Sequence, residues 1–383
     1  MKENSSALFS QYIIDGIRMD ARPVDMLASP SDAPSQADDF EPIVDESLDL
    51  PPGPDTFDEA RMYDYLSLTS EALASRRRPI QSAYSAFHTK SIIASSLISA
   101  AWREGHFGLS DLVVRLSWKW DVGPVGAMAA FYRSVEAACE YLDGLGVRIS
   151  GYSFEEAAEC EFSVDISLEA ATEADSWKYE ERVGAGVPED YEDAEHGKWM
   201  GTGRRCSSLL GASPSDWVVY VPFDTCDYRL GGSLLSDIAG RGGSAPDISD
   251  PDYFMDCFEL IREMTEDGVV TAGATVGAGG LMTSLGAALP PGMGMDVDLG
   301  GVLREQGGDS VLRVLFSEVP GAVIEISDSD YDYIDAEFLL QDVAYFPLGH
   351  PHRGKEGLRI VTADSLSGIL RALLDGQVSE GED

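Results

Sequence analysis

The sequence predicts a two-domain protein of mixed α/β (α+β) class, a sheet-based N-terminal domain followed by a C-terminal α/β domain, with a disordered acidic arm in front. Three observations predict it. The chain has 383 residues, 44% of them hydrophobic, enough at roughly 100–200 residues per domain to fill two or three cores. Its apolar residues switch between period-two and helical spacing, with connections too long for hairpins. An acidic stretch over residues 170–205, broken by Gly184, Gly186 and Gly201, separates two such series as a linker would. The expected division is an acidic flexible arm over 1–60, an N-terminal domain over 61–170, an acidic linker over 171–212, a C-terminal domain over 213–376 and a tail over 377–383.

The arm rests on residues 23–58, which are rich in Asp, Pro and Ser with few aromatics and no sustained period. The folded part is expected to begin near Arg61, where MYDYLSLTS alternates like a strand. SIIASSLISAAWR (91–103) has apolar residues at helical spacing and a face of small residues, the form of a helix packed closely on a sheet. A strand at 111–118, a helix at 125–142 and strands at 146–150 and 162–168 complete the first series. In the second, 217–223 reads as a buried strand, and 253–266 as an amphipathic helix entered through Asp250-Pro251. Strands are expected near 296–299, 322–327, 343–348 and 358–362, and helices at 310–316, 333–340 and 365–374. The uncharged run 269–295 is long enough to cross a bilayer. Its Gly, Ala, Thr and Ser content, with Pro290-Pro291, makes a packed glycine-rich core segment the expectation instead.

Charge narrows the function. Against 27 basic residues stand 67 acidic ones, a formal charge of −40, so the chain repels nucleic acid and anionic lipid. Neither a nucleic-acid reader nor a membrane protein is expected; high ionic strength or a basic partner would suit this surface. Cys139, Cys160, Cys206, Cys226 and Cys257 are scattered and odd in number, which argues for a reducing compartment and against a zinc site or disulfide scaffold. The start, Met-Lys-Glu-Asn-Ser-Ser, has no apolar core of a secretory signal. A cytoplasmic or other reducing intracellular location is expected, and secretion is not.

Motifs for chemistry are sparse. GATVGAGG (273–280) lacks the strict G-x-G-x-x-G order and a following acidic residue, so a close-packing turn before a helix is expected, not a dinucleotide site; no phosphate-loop motif occurs. His350 and His352 lack a third ligand nearby, and no metal site is expected. His88, His106 and His196 read as surface or loop residues. Arg76, Arg77 and Arg78 concentrate positive charge, either as a solvated loop or as an anion or partner contact; Arg204-Arg205 is a weaker version. Acidic pairs such as Glu155-Glu156, Glu180-Glu181 and those in 328–332 are too common here to signal acid–base catalysis. Trp118 and Trp120 share a strand face and suit core or interface packing.

Several segments, in order, resemble phosphoribosylformylglycinamidine synthase, in particular its second pair of domains of the aminoimidazole-ribotide-synthetase type. They are IIASSLIS (92–99), LVVRLSWKW (112–120), the helix at 132–142, LGVRISGYS (145–153), LGGSLLSDIAG (230–240), the order from PDISD to GAGG (246–280), and LFSEVPGAVIEIS (315–327). The resemblance spans about residues 61–374 and implies the two-domain synthetase fold. In that family nucleotide and magnesium are held by the Glu and Asn of E-A-L-T-N, the Lys-Asp of G-K-D-S and the Asp of H-D-x-S. The matching positions here are Ser95 and Ser99, Tyr152 and Ser153, and Ala274 and Thr275. Magnesium needs carboxylate oxygens and a triphosphate needs cations, which hydroxyls and an alanine do not supply. The glycines that shape the backbone, Gly231, Gly232, Gly279 and Gly280, match, and Glu318 matches the L-F-S-E glutamate as a structural residue.

The resemblance therefore implies a degenerate member with no catalytic residues, a pseudoenzyme acting as a structural or protein-interaction module. No cofactor is expected, ATP or ADP with magnesium binding weakly at most. The alternative is a subunit or split half of such a synthase, active only with a partner chain, because no second domain pair and no glutaminase triad are found. A repurposed relative, as among herpesvirus tegument proteins, is a third reading. In the family the first domains of the two pairs meet through their sheets, so a homodimer or heteromeric protein partner is expected on the N-domain sheet, closest to 111–118 and 162–168.

Overall fold

The computed structural model describes residues 6–27, 40–53, 56–75, 79–168, 199–211, 213–308 and 310–361. Residues 171–198 of the linker expected over 171–212, the tail and the helix at 365–374 lie outside them.

Much of the span expected as a flexible arm is folded. Residues 6–27 and 40–53 form α1 (Ser6–Phe9), β1 (Tyr12–Ile14), β2 (Ile17–Arg18), α2 (Pro23–Leu27) and β3 (Ile43–Asp45), with strand order β2-β1-β3. Leu8, Tyr12, Ile14, Val24 and Leu27 are buried, and the Tyr12 ring packs tilted against that of Tyr132, with centroids 5.1 Å apart. The Asp, Pro and Ser run masked this apolar set, which flanks the run and needs a distant surface to bury it. The expected strand at MYDYLSLTS is the helix α3 (Met62–Ala74). Tyr65 and Thr69, four residues apart, are its buried pair, and the Thr69 hydroxyl donates to the Tyr65 carbonyl at 2.9 Å. Over so short a run, spacing two and spacing four share positions, and docking on the second domain selects the helix.

The first domain contains α4 (Ser85–Ala101), β4 (Arg103–His106), β5 (Leu112–Trp120), α5 (Ala127–Gly144), β6 (Arg148–Glu156), β7 (Glu161–Leu168) and β8 (Trp199–Arg204). Its main sheet has the order β6-β5-β7, with β5 parallel to β6 and antiparallel to β7. Alternation assigns the two faces. Leu112, Val114, Leu116, Trp118 and Trp120 are buried on one of them. The Trp118 indole donates to Ser134 at 2.8 Å and that of Trp120 to the Ala127 carbonyl at 2.7 Å, which makes both core residues. The opposite face is polar, with cross-strand rows Ser153-Ser117-Ser163 and Glu155-Lys119-Glu161.

The second domain runs β9 (Trp217–Pro222), α6 (Leu234–Ile238), α7 (Pro251–Glu266), β10 (Val270–Val276), α8 (Gly280–Ala288), β11 (Gly294–Asp298), α9 (Gly300–Glu305), α10 (Val311–Phe316), β12 (Gly321–Ile326), α11 (Tyr331–Leu340), β13 (Phe346–Gly349), β14 (Pro351–His352) and β15 (Gly357–Val361). An antiparallel sheet β10-β12-β9-β13 is backed by a smaller one, β14-β11-β15. Asp250 caps α7 by accepting from the Tyr253 amide at 3.1 Å, with Pro251 in the first turn. The uncharged run 269–295 becomes β10, α8 and the start of β11; among the described residues no helix is long and apolar enough to cross a membrane.

One buried cation joins the domains. Arg262 of α7 donates to the carbonyls of Ala101 (3.2 Å), Arg103 (3.1 Å) and Gly105, and lies 4.3 Å from the Phe107 ring centroid. These carbonyls close α4 and open β4, so a side chain of the second domain satisfies a helix end of the first.

Candidate functional site

Helix α4 faces β10, β7 and the loop that follows β10. Between them lies a cleft of ≈ 460 Å³ lined by Ser91, Ser95, Ser99, Arg103, Asp165 and Ala278, among others. Ser95 and Ser99 lie one helical turn apart and so share a face. Each hydroxyl donates back along the helix, Ser95 to the Ser91 carbonyl at 2.7 Å and Ser99 to that of Ser95 at 2.8 Å. From β10, the Thr275 hydroxyl sits 3.0 Å from that of Ser99 and accepts from the Trp102 indole at 2.9 Å. Trp102 is buried, and its ring lies over Gly273, where a Cβ would come within 2.6 Å of it. Only glycine lets the indole pack there, and the indole in turn fixes the Thr275 hydroxyl.

Three of the six positions singled out in the sequence therefore meet: Ser95, Ser99 and Thr275. The other three do not join them. Ala274 alternates to the opposite side of β10 and packs against the second domain's core. Tyr152 and Ser153 lie on β6, which β5 separates from β7. Ser153 pairs with the Ser117 hydroxyl at 2.8 Å on the polar face, and Tyr152 packs against the first core. The hydroxyls in the cleft are neutral and engaged with one another and with backbone carbonyls; Arg103 and Asp165 are the charged groups on its wall.

Behind the cleft the four glycines serve as a frame. Gly280 has φ +72°, and a Cβ there would approach the Leu315 and Ser317 carbonyls to 2.6 and 2.7 Å. At Gly231 a Cβ would meet the Gly243 carbonyl at 2.3 Å. Gly232 packs on Tyr84 and Phe87, and Gly279 caps α8. Glu318 is fully buried and ties these loops together: one carboxylate oxygen accepts from the Leu234 amide and from the Gly279 amide, each at 2.8 Å. Its matched position in L-F-S-E thus has a definite backbone-holding role.

His88 is a correction. Expected at the surface, it is 4% exposed, packs against the Tyr84 and Phe87 rings and places Nε2 2.7 Å from the Gly232 carbonyl. The available signal was its place on the α4 face that also carries Ser91 and Ser95. Elsewhere, His350 rests 4.0 Å from the Trp217 ring and His352 3.9 Å from Asp296. His106 pairs with Glu266 on α7. Among the described residues no group of three His, Cys, Asp or Glu side chains could hold a metal. Arg204 donates to the Gly273 carbonyl at 2.6 Å and Arg205 to that of Glu266 at 3.0 Å. Arg76, Arg77, Arg78 and His196 lie outside the described residues. Burial pushes the Cys139 thiol up to about 12 and raises that of Cys206, which keeps both protonated at neutral pH.

No family model matches the chain. In sequence it is 32% identical over 124 residues to the probable phosphoribosylformylglycinamidine synthase, chloroplastic/mitochondrial, of Arabidopsis thaliana, over 32% of this chain and 8% of that protein. To the human phosphoribosylformylglycinamidine synthase it is 28% identical over 155 residues, 40% of this chain and 11% of the other. The matches thus span a small part of the curated relatives. In structure it is similar to PurLQS from Thermotoga maritima with a TM-score of 0.50 and 13% identity, over 78% of this chain and 49% of that one. The chain has a two-domain α/β architecture resembling the synthetase fold, and a remote relationship to phosphoribosylformylglycinamidine synthase.

Proposed function

We propose that the chain is a catalytically inactive, phosphoribosylformylglycinamidine-synthase-like pseudoenzyme that serves as a structural or protein-interaction module. The observation that carries this is the convergence of Ser95, Ser99 and Thr275, where the resemblance implies a Glu, an Asn and an Asp for nucleotide and metal. Hydroxyls bonded to each other and to α4 carbonyls neither neutralise a triphosphate nor supply anionic oxygens to a hard cation. Isothermal titration calorimetry of the full chain with ATP and magnesium is expected to show no binding tighter than millimolar. Micromolar, magnesium-dependent ATP binding would overturn the reading. The partner is a second copy or another protein, on the polar face of β6-β5-β7 where Arg115, Lys119, Glu155 and Glu161 are exposed.

A second reading is favoured by coverage. The aligned part amounts to 49% of the PurLQS chain, as for half of a synthase that performs ATP-dependent amidation in purine biosynthesis with a second chain. Co-purification with a synthase-like chain, and rescue of a purine auxotroph only by the pair, is the result that would select it.

A further inference from the structure

A second cavity of ≈ 460 Å³ lies apart from the hydroxyl-lined cleft, and residues from three distant parts of the chain build it. The N-terminal segment contributes residues 47, 48 and 50; α4 with its lead-in and α5 contribute 82–87, 90, 129, 130 and 133; the second domain contributes 244–248. A volume of this size is in the range of small-molecule sites, which are mostly apolar with a few placed polar groups. Leu48, Leu50, Tyr84, Phe87, Pro246 and Ile248 supply the apolar walls.

Two cations enter this apolar setting, Lys90 and Arg133. The Lys90 ammonium is anchored by donating to the Ile248 carbonyl at 2.8 Å. The Arg133 guanidinium donates through Nη1 to Glu136 at 2.6 Å. A lysine carries three N–H donors and an arginine five, so each contact positions the head group and leaves donors for an acceptor in the cavity. Asp247 is the one acidic residue on the wall, so the lining is positive by one charge. Glu136, just outside the lining, balances one of the two cations through its 2.6 Å contact with Arg133.

The N-terminal wall is held from both domains. Asp45 accepts from the Gly126, Met128 and Ala129 amides at 2.8, 2.9 and 3.0 Å and so caps α5. Asp15 accepts from the Ser47 amide at 2.8 Å. The Leu48 side chain lies against Gly126, where a Cβ would stand 2.4 Å from Leu48 Cγ, and the Pro51 carbonyl lies against Gly242. Leu48 and Leu50 remain 43% and 47% exposed, with apolar surface that an occupant would cover.

We propose that this cavity binds a small amphiphilic anion, with an apolar or aromatic body against Tyr84, Phe87 and Leu48 and one carboxylate or phosphate head between Lys90 and Arg133. The test uses the full chain with phenyl phosphate and benzoate, whose comparison separates the two head groups. Inorganic phosphate and phenol serve as head-only and body-only controls. Calorimetry is expected to show at least one of the two amphiphiles binding about tenfold or more tightly than either control. Arg133→Gln, a change at a partly exposed side chain, is expected to weaken that binding about tenfold with the thermal unfolding midpoint unchanged. Lys90→Arg is expected to retain it and Lys90→Gln to lose it. Hydrogen exchange at residues 47–50 slows on binding. Equal weak binding of amphiphiles and controls overturns the proposal, as does undiminished affinity in Arg133→Gln. Because Arg133→Gln leaves the Lys90 contact to Ile248 in place, it decides the matter even if Lys90→Gln fails to fold.

Discussion

Thr275 lies within the glycine-rich segment and Glu318 packs against it through the Gly279 amide, and the two use polarity in opposite ways. Glu318 is fully buried and spends its carboxylate on two backbone amides from different loops. Thr275 spends a neutral hydroxyl on Ser99 and Trp102 at the edge of a cleft. The acidic group stays where the backbone needs an acceptor, and a neutral one stands where the resemblance implies a ligand contact. The difference teaches that the frame around the cleft is held by the chain's own groups.

That contrast can be broken by substitution. The largest effect is expected from Glu318→Ala, which leaves the Leu234 and Gly279 amides buried without their acceptor, at about 1–3 kcal/mol each; Glu318→Gln restores part of it. Urea unfolding measures both, and a loss no greater than that of the Thr275 variant below would remove the distinction. Gly280→Ala is expected to cost about 2–3 kcal/mol, since it combines a left-handed backbone with contacts to two carbonyls. Thr275→Val removes one hydroxyl and is expected to cost about 1 kcal/mol, with Trp102 fluorescence reporting the lost hydrogen bond.

The smallest effect belongs to an exposed carboxylate, Asp296, whose hydrogen bond from Arg359 Nε at 2.6 Å holds it below the usual carboxylate range. A depressed folded-state value gives stability that is present above the ordinary carboxylate pKa and is lost as pH falls through the folded value. Arg359→Ala is expected to matter little at neutral pH, still less in high salt, and not at all once Asp296 is protonated in the wild type. A salt-resistant loss in thermal unfolding would show that the pair is shielded from solvent.

The elements with a long, unambiguous period were legible in the sequence. β5 alternates over nine residues and α7 carries its own Asp-Pro start, and both formed close to where expected. α3 was not legible, because the spacing of Tyr63, Tyr65 and Ser67 fits a strand and that of Tyr65 and Thr69 fits a helix. Residues 6–27 and 40–53 were hidden by composition: the acidic run between and around them is polar, and their apolar side chains have no partner nearby in sequence. The convergence of Ser95, Ser99 and Thr275 was legible only through the resemblance. His88 and Asp45 were missed because a lone polar residue carries no period.

By itself, the sequence determined the mixed α/β class, most strands and helices, the glycines at which no side chain fits, and the neutral residues at the cleft. The class and the elements follow from local backbone preference and periodicity, which each segment carries within itself, whereas the glycines and the cleft positions were marked by the family resemblance. Only the tertiary structure decided that α3 is a helix, that the N-terminal segment folds onto α5 and roofs a cavity with Lys90 and Arg133, and that Glu318 joins two loops. Each of those depends on a surface or a backbone group supplied from far along the chain, and no local pattern encodes such a partner.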